Sequence, residues 1–377
     1  YSSRRQRQMC IRDRYLSLLS ITCFLVAINS KTIDVSPSYD SKVKAATLMK
    51  NAMDELKYQR MEKSVFIDIE NDPNETGLVG EPYSLITTDE GDLDAKLTTL
   101  DPNFAAVVID LMYQLGLKEN DTVAILMTGS MPGANIAVLT ACKALGLNPV
   151  TISSIGASQW GANQIDFTWL DMERILFEKD LILSTSIAAS IGGRNDMGRL
   201  LSVKGRNIIL DNIKKHNIPL IKKDRLSDNI EERMNFLNKY SSIDSYAAVI
   251  NVGGGVASLG TSFNLKLLSP GVVSRADMNT IGTEGGIEGV FSKFINLNVL
   301  GLHILNIRPL IEQYNMKFAP IPLPEIGTGS LYAIERYNLF VALICFLIVS
   351  GSVLVVGFQS KQKIKEHLIQ HEPDSLL

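Results

Sequence analysis

Two short stretches of small and hydroxyl-bearing residues carry most of the chemical promise of this chain. The first, Gly129-Ser130-Met131-Pro132-Gly133, sets a serine between glycines at the entrance to a segment rich in Ala and Leu that includes Asn135. The second runs through Ser153, Ser154, Gly156 and Ser158 to Trp160, and Asn163, Asp166, Trp169, Asp171 and Glu173 follow closely. Ser130 is open to three roles. It can cap a helix starting at Pro132. With Gly129, Gly133 and Asn135 it can present backbone N–H groups to a phosphate or carboxylate. It can also attack a carbonyl carbon, a role equally open to Ser158. The first turn reads G-S-x-P-G and lacks the G-x-S-x-G spacing of a nucleophile elbow. The body holds two histidines, and neither suits a serine-histidine pair: His216 follows Lys214 and Lys215 on an expected surface helix, and His303 sits in an apolar run.

A βαβ unit would position both stretches. Residues 123–127 form a short apolar run typical of a strand buried on both faces, residues 134–145 have helical composition, and Gly146 stands where a C-terminal glycine stops a helix. A second strand at 150–152 opens into a small-residue turn at 153–158. A helical connection makes the strands parallel, so both turns face the same carboxyl edge, where open α/β sheets bind ligands. The loop after the second strand is the leading candidate for a pocket. Taken singly, Asp166 and Asp171 read better as helix caps, and Trp160 and Trp169 as packing residues.

Upstream, Val43, Ala46, Leu48, Met49, Ala52, Met53 and Leu56 recur at helical spacing within 38–63, followed by a strand at 65–69 and a polar turn at 71–76. Residues 87–101 (TTDEGDLDAKLTTLD) read as a solvated loop ending in a cap at Asp101-Pro102, also placed to cover a site. A helix at 104–115 stops at Gly116. Downstream come a glycine-rich turn at 187–198, a helix at 204–217, a strand at 218–221 and a helix at 227–240. A buried strand at 247–252 then opens onto Gly253, Gly254 and Gly255, a triplet that lets backbone amides approach an anion. A polar glycine loop at 281–289 carries Glu284 and Glu288, and a last strand spans 299–306. The expected fold is α/β: a Rossmann-like, mostly parallel sheet with flanking helices, with room for two similar halves. Lys214, Lys215, Lys222, Lys223 and Arg225 read as a solvated basic face.

The chain ends add membrane character to this body. Residues 339–358 are an uncharged apolar run of the length that spans a hydrocarbon core of roughly 30 Å. Lys361, Lys363 and Lys365 follow it, which assigns residues 359–377 to the cytoplasm. Residues 15–28 form a shorter apolar run, a signal anchor or signal peptide, and the poor small-x-small pattern at its end favours an anchor. Residues 1–14 read as translated adapter sequence, and setting aside its five Arg and one Asp moves the formal net charge from −3 to −7. With a negative net charge and its densest basic group read as a solvated face, nothing in the chain suggests a nucleic-acid binder, and no nucleic acid is expected as a partner. The expectation is a two-pass protein with both ends inside the cell membrane, an extracytoplasmic body at 31–319 and a Pro/Gly linker at 320–338. Cys142 alone belongs to the body, so neither a disulfide framework nor a zinc site is expected, and the sequence leaves the cofactor open.

Four runs carry a resemblance: TGSMPGANIAVLTACKALGLNP, ISSIGASQWGANQIDFTWLDME, NVGGGVASLG and LHILNIRPL. Together they resemble the poly-gamma-glutamate system protein family, membrane proteins associated with poly-γ-glutamate synthesis and export. The resemblance spans about residues 87–329. It implies a bacterial envelope protein whose partners are the synthase and export components and the lipid bilayer, and it assigns no catalytic residue. Three functions follow: an accessory factor binding the γ-glutamyl polymer or a related carboxylate or phosphate at the glycine turns; a hydrolase or transferase of γ-glutamyl amides using Ser130 or Ser158; or a structural subunit of the synthase.

Overall fold

A computed structural model describes residues 2–62, 67–260, 268–281 and 286–370, which form two compact units, Pro37–Tyr332 and the chain ends Tyr1–Ser36 with Ala333–Leu377. In the unit of chain ends, helix α1 (Ser2–Asn29) leads into strand β1 (Lys31–Val35), which pairs antiparallel with the strand Ala333–Tyr337. The following helix, Leu339–Gln370, packs along α1. Among the described residues it is the one helix long and apolar enough to cross a membrane by length and composition. The expected second span therefore fails that test: the apolar part of α1 is short, and its other half carries five arginines.

The body starts with α2 (Tyr39–Glu62), α3 (Leu93–Thr99) and α4 (Asn103–Gln114). Strand β2 (Thr122–Thr128), helix α5 (Pro132–Leu145) and strand β3 (Asn148–Ser154) then form the expected βαβ unit, with Gly146 ending α5 at φ 69°. Next come a hairpin of β4 (Asn163–Gln164) and β5 (Phe167–Thr168), then α6 (Trp169–Glu178), β6 (Ala188–Ser190), α7 (Val203–Lys215), β7 (Leu220–Ile221) and α8 (Leu226–Tyr240). Strand β8 (Ala248–Val252), short helix α9 (Val256–Leu259), β9 (Gly271–Val273) and β10 (Leu300–Ile304) complete the sheet.

The seven strands lie in the order β7-β6-β3-β2-β8-β10-β9, all parallel except β9 at one edge. Alternation along β2 explains its central place. Val123, Ile125 and Met127 pack with α2, α4 and α5 on one face, while Ala124 and Leu126 join α8 and the helix Val290–Asn296 on the other. From β2 the chain steps outward through β3, β6 and β7, then returns to the other side of β2 for β8 and β10. That reversal opens a crevice at the carboxyl ends of β2 and β8. The sheet does not divide into two similar halves, because four parallel strands lie on one side of the reversal and two on the other.

Several local expectations give way to packing. Ser153 and Ser154 end β3 instead of lying in a turn, and part of the expected 187–198 turn is β6. The expected strand at 65–69 lies partly outside the described residues, and residues 67–69 are not strand. Glu284 also lies outside them. The expected linker is not free as far as Tyr332. Ala319 N–H donates to Thr98 Oγ1 (2.8 Å), Asn74 and Asn103 side chains donate to the carbonyls of Pro320 and Pro324, and the fully buried Tyr332 donates to Asn103 Oδ1 (2.7 Å). This segment thus straps the body beside α3 and α4. Tyr332→Phe leaves a buried acceptor without that donor and should cost about 1–3 kcal/mol, measured as a lowered urea midpoint for unfolding of the body.

Candidate active site

The carboxyl-end loops of β2, β3, β6, β8 and β10 surround one cleft of about 310 Å³. Its wall includes Ser130 from the β2 turn, Ser154, Gly156 and Ser158 after β3, and Gly253, Gly254 and Gly255 after β8. These predicted residues are far apart in sequence, and the switch of strand direction brings them together.

The residue that sequence reasoning missed is Lys96. It lies on α3, inside the stretch read as a solvated loop, and is 5 % exposed. Its Nζ donates to Ser158 Oγ at 3.0 Å, to the Ser130 carbonyl, and to Met131 Sδ at 3.2 Å. Burial lowers its pKa to about 8, against a smaller opposing effect of Asp92. The signal was present: Leu93, Lys96, Leu97 and Leu100 follow helical spacing, with a lysine where the apolar face turns inward. Asp92 caps this helix by accepting the Ala95 N–H at 3.2 Å.

Close backbone contacts aim the pair. A Cβ on Gly133 would stand 2.4 Å from the Thr99 carbonyl oxygen, so glycine lets the end of α3 lie against the first turn of α5. A Cβ on Gly129 would meet the Ile155 carbonyl at 2.5 Å, where the first turn crosses the second. Both glycines therefore build the site without lining it. Asn135 is likewise structural: fully buried, it donates to the Thr128 carbonyl at 2.9 Å and ties α5 to the end of β2. Ser130 does not cap α5; its Oγ accepts the Ser158 N–H at 2.9 Å.

Other predicted site residues turn elsewhere. Ser153 points to the opposite face of β3 from Ser154 and shares a hydrogen bond with Ser186, which donates to Glu173. Burial pushes the Glu173 carboxyl up to about 7. Trp160 packs part of its ring against the main core, and exposed Asp166 sits in the β4–β5 turn, so it caps no helix. Asp171 does act in a capping box with Thr168. Although burial opposes ionisation, hydrogen bonds from His216, Lys215 and Thr168 hold its pKa well below the usual range. His216 is consequently buried against Asp171 rather than on the surface. His303 is a core residue whose pKa burial lowers to about 4.

Beneath the cleft, Arg233 Nη2 donates to Asp196 Oδ2 (2.7 Å), Ser190 Oγ (2.7 Å) and Ser154 Oγ (3.1 Å). The ion pair is buried and locks the ends of β3 and β6 to the following turn. Its glycines, Gly192 and Gly193, and exposed Arg194 form one rim of the cleft, while exposed Asp89, Glu90 and Asp92 form another. Among the described residues no cluster of His, Cys, Asp and Glu suits a metal ion.

The fold and site define an α/β protein with a buried serine-lysine pair at the switch point of a largely parallel sheet. No protein-family model, curated protein or solved structure matches the chain.

Two measurements test these contacts. Arg233→Met strands the buried Asp196 carboxylate and should destabilise the body by about 3–5 kcal/mol in urea unfolding. Because Lys96 binds its proton less tightly when folded, the folded state gains stability as pH rises from about 8 to 10.5. The stability difference between Lys96→Met and the wild type should shift by about 3 kcal/mol across that window, in favour of the wild type at high pH.

Proposed function

We propose that this protein is a membrane-attached serine hydrolase or transferase of γ-glutamyl amides, with Ser158 as nucleophile and Lys96 as its base. One observation carries the reading: a buried lysine nitrogen stands 3.0 Å from a serine hydroxyl inside a switch-point cleft. Desolvation lowers the lysine pKa toward neutrality, as an amine must have if it is to accept a proton in water near pH 8. The substrate class rests on the resemblance to poly-γ-glutamate system proteins.

In the reaction, neutral Lys96 takes the Ser158 proton as Oγ bonds to the carbonyl carbon. The resulting ammonium gives that proton to the departing nitrogen as the C–N bond breaks. An acyl ester on Ser158 remains; water or another amine attacks its carbonyl carbon while Lys96 accepts the attacker's proton. As the C–Oγ bond breaks, Lys96 returns that proton to Ser158 Oγ, restoring the serine and the neutral amine. Water gives hydrolysis; an amine gives transfer.

The same reading makes the protein a membrane-attached member of the cell envelope that works with the synthase and export components of the polymer. The hydrophobic helix at Leu339–Gln370 supports membrane attachment, and Lys361, Lys363 and Lys365 support an inward C-terminus.

A second reading, binding of a γ-glutamyl carboxylate without turnover, is favoured by the charge of Lys96 at neutral pH. Below about pH 8 it is mostly an ammonium, which attracts a carboxylate and cannot take the serine proton. The two readings diverge with pH. For the enzyme, turnover of γ-glutamyl oligomers by the purified full chain in detergent should rise about tenfold per unit below pH 8 and level off above it. Ser158→Ala should abolish turnover, and Lys96→Met should slow it about 10²–10⁴-fold. Saturable binding that weakens as pH rises through 8, with no product at any pH, would establish the binding role instead.

A further inference from the structure

Ser130 touches both members of the serine-lysine pair. Its carbonyl accepts from Lys96 Nζ, and its Oγ accepts the backbone N–H of Ser158 at 2.9 Å. It is half-buried and lines the cleft. A hydroxyl offers one proton and two lone pairs, so a bond accepted from Ser158 leaves the proton to donate. Among the described residues, that accepted bond is the one hydrogen bond of Ser130 Oγ. The other cleft serine, Ser154, is engaged with Asp196, Ser190 and Arg233.

The geometry has a second consequence. An N–H beside a nucleophile can stabilise the oxyanion that forms when it attacks, but the Ser158 N–H is already committed to Ser130 Oγ. The same bond polarises the Ser130 hydroxyl and strengthens it as a donor. We propose that Ser130 is a catalytic residue whose hydroxyl donates to the carbonyl oxygen of the substrate, passing on the stabilisation that the Ser158 N–H no longer gives directly.

The inference rests on the assignment of Ser158 and Lys96 as nucleophile and base. As Ser158 Oγ bonds to the carbonyl carbon, the C=O π pair moves onto oxygen and Ser130 O–H holds that charge without losing its proton. The pair returns to re-form C=O as the C–N bond breaks. A donor matched to charge that exists only in the transition state accelerates the chemical step more than it tightens binding.

A fluorophosphonate tests this in the full chain in detergent. Ser158 Oγ bonds to phosphorus, the P–F bond breaks, fluoride leaves, and Lys96 takes the serine proton; the phosphoryl oxygen occupies the place of the oxyanion. Intact-mass spectrometry follows the labelling rate against pH for the wild type, Ser130→Ala, Ser130→Thr and Ser158→Ala. The expected result is wild-type labelling with a midpoint near pH 8, none for Ser158→Ala, and Ser130→Ala about 10²–10³-fold slower with the midpoint unchanged. Ser130→Thr, which keeps the hydroxyl, should restore most of the rate and serves as the check if Ser130→Ala does not fold.

Labelling of Ser130→Ala at the wild-type rate would overturn the donor role while leaving the serine-lysine pair intact. A slower Ser130→Ala whose midpoint moves toward 10.5 would also overturn it, showing that Ser130 only positions Lys96. Absence of wild-type labelling at every pH would overturn the serine-lysine reading itself.

Discussion

The structure depends on keeping one lysine nitrogen away from water. Lys96 has no carboxylate partner among the described residues; its acceptors are a serine hydroxyl, a backbone carbonyl and a thioether. Such an environment disfavours the ammonium by about 3 kcal/mol relative to water, judged from a pKa that falls from 10.5 to about 8. A buried cation that is readily neutralised is the usual physical basis of an amine base.

Reaching that environment requires three backbone segments to meet almost without side chains between them. Helix α3 approaches α5 at Gly133, and the turn after β2 approaches the turn after β3 at Gly129. Either seam opened by a methyl group would move Lys96 relative to Ser158. The glycines that looked like ligand-binding residues therefore contribute geometry, and the chemistry falls to the side chains they allow to converge.

Support for the site also comes from both sides of the sheet edge. The Arg233–Asp196 pair fixes Ser154, from which the chain runs on to Ser158, and the strap around Ala319 and Tyr332 ties down Thr98 on the lysine-bearing helix and Asn103 at the start of α4. The Arg233–Asp196 and Tyr332–Asn103 contacts are buried, where a lost partner is expensive. Rigidity at the cleft floor and along the back of α3 keeps the nitrogen and hydroxyl within hydrogen-bond reach. The acidic rim of Asp89, Glu90 and Asp92 is exposed, so solvent screens its charge far more than that of the buried pair.

By itself the sequence determined the local elements whose signals are short-range. The apolar run at β2, the helix to Gly146, the parallel partner at β3 and the hydrophobic helix beginning at Leu339 all follow from periodicity, composition and a glycine stop. It also marked Ser130, Ser158 and Gly253 to Gly255 as edge residues, because small residues after buried strands of a parallel sheet share one rim. Tertiary structure alone decided which of them face one another and what joins them. Lys96 looked solvated because acidic and hydroxyl neighbours surround it in the chain, whereas in space its nitrogen lies against residues 34 and 62 positions away. Asn135, Ser153 and Gly133 looked chemical for the opposite reason: their polarity or smallness is visible in sequence, but the buried partners that absorb it come from other elements. A side chain's type is local, while its desolvation and its hydrogen-bond partners are properties of the packed fold.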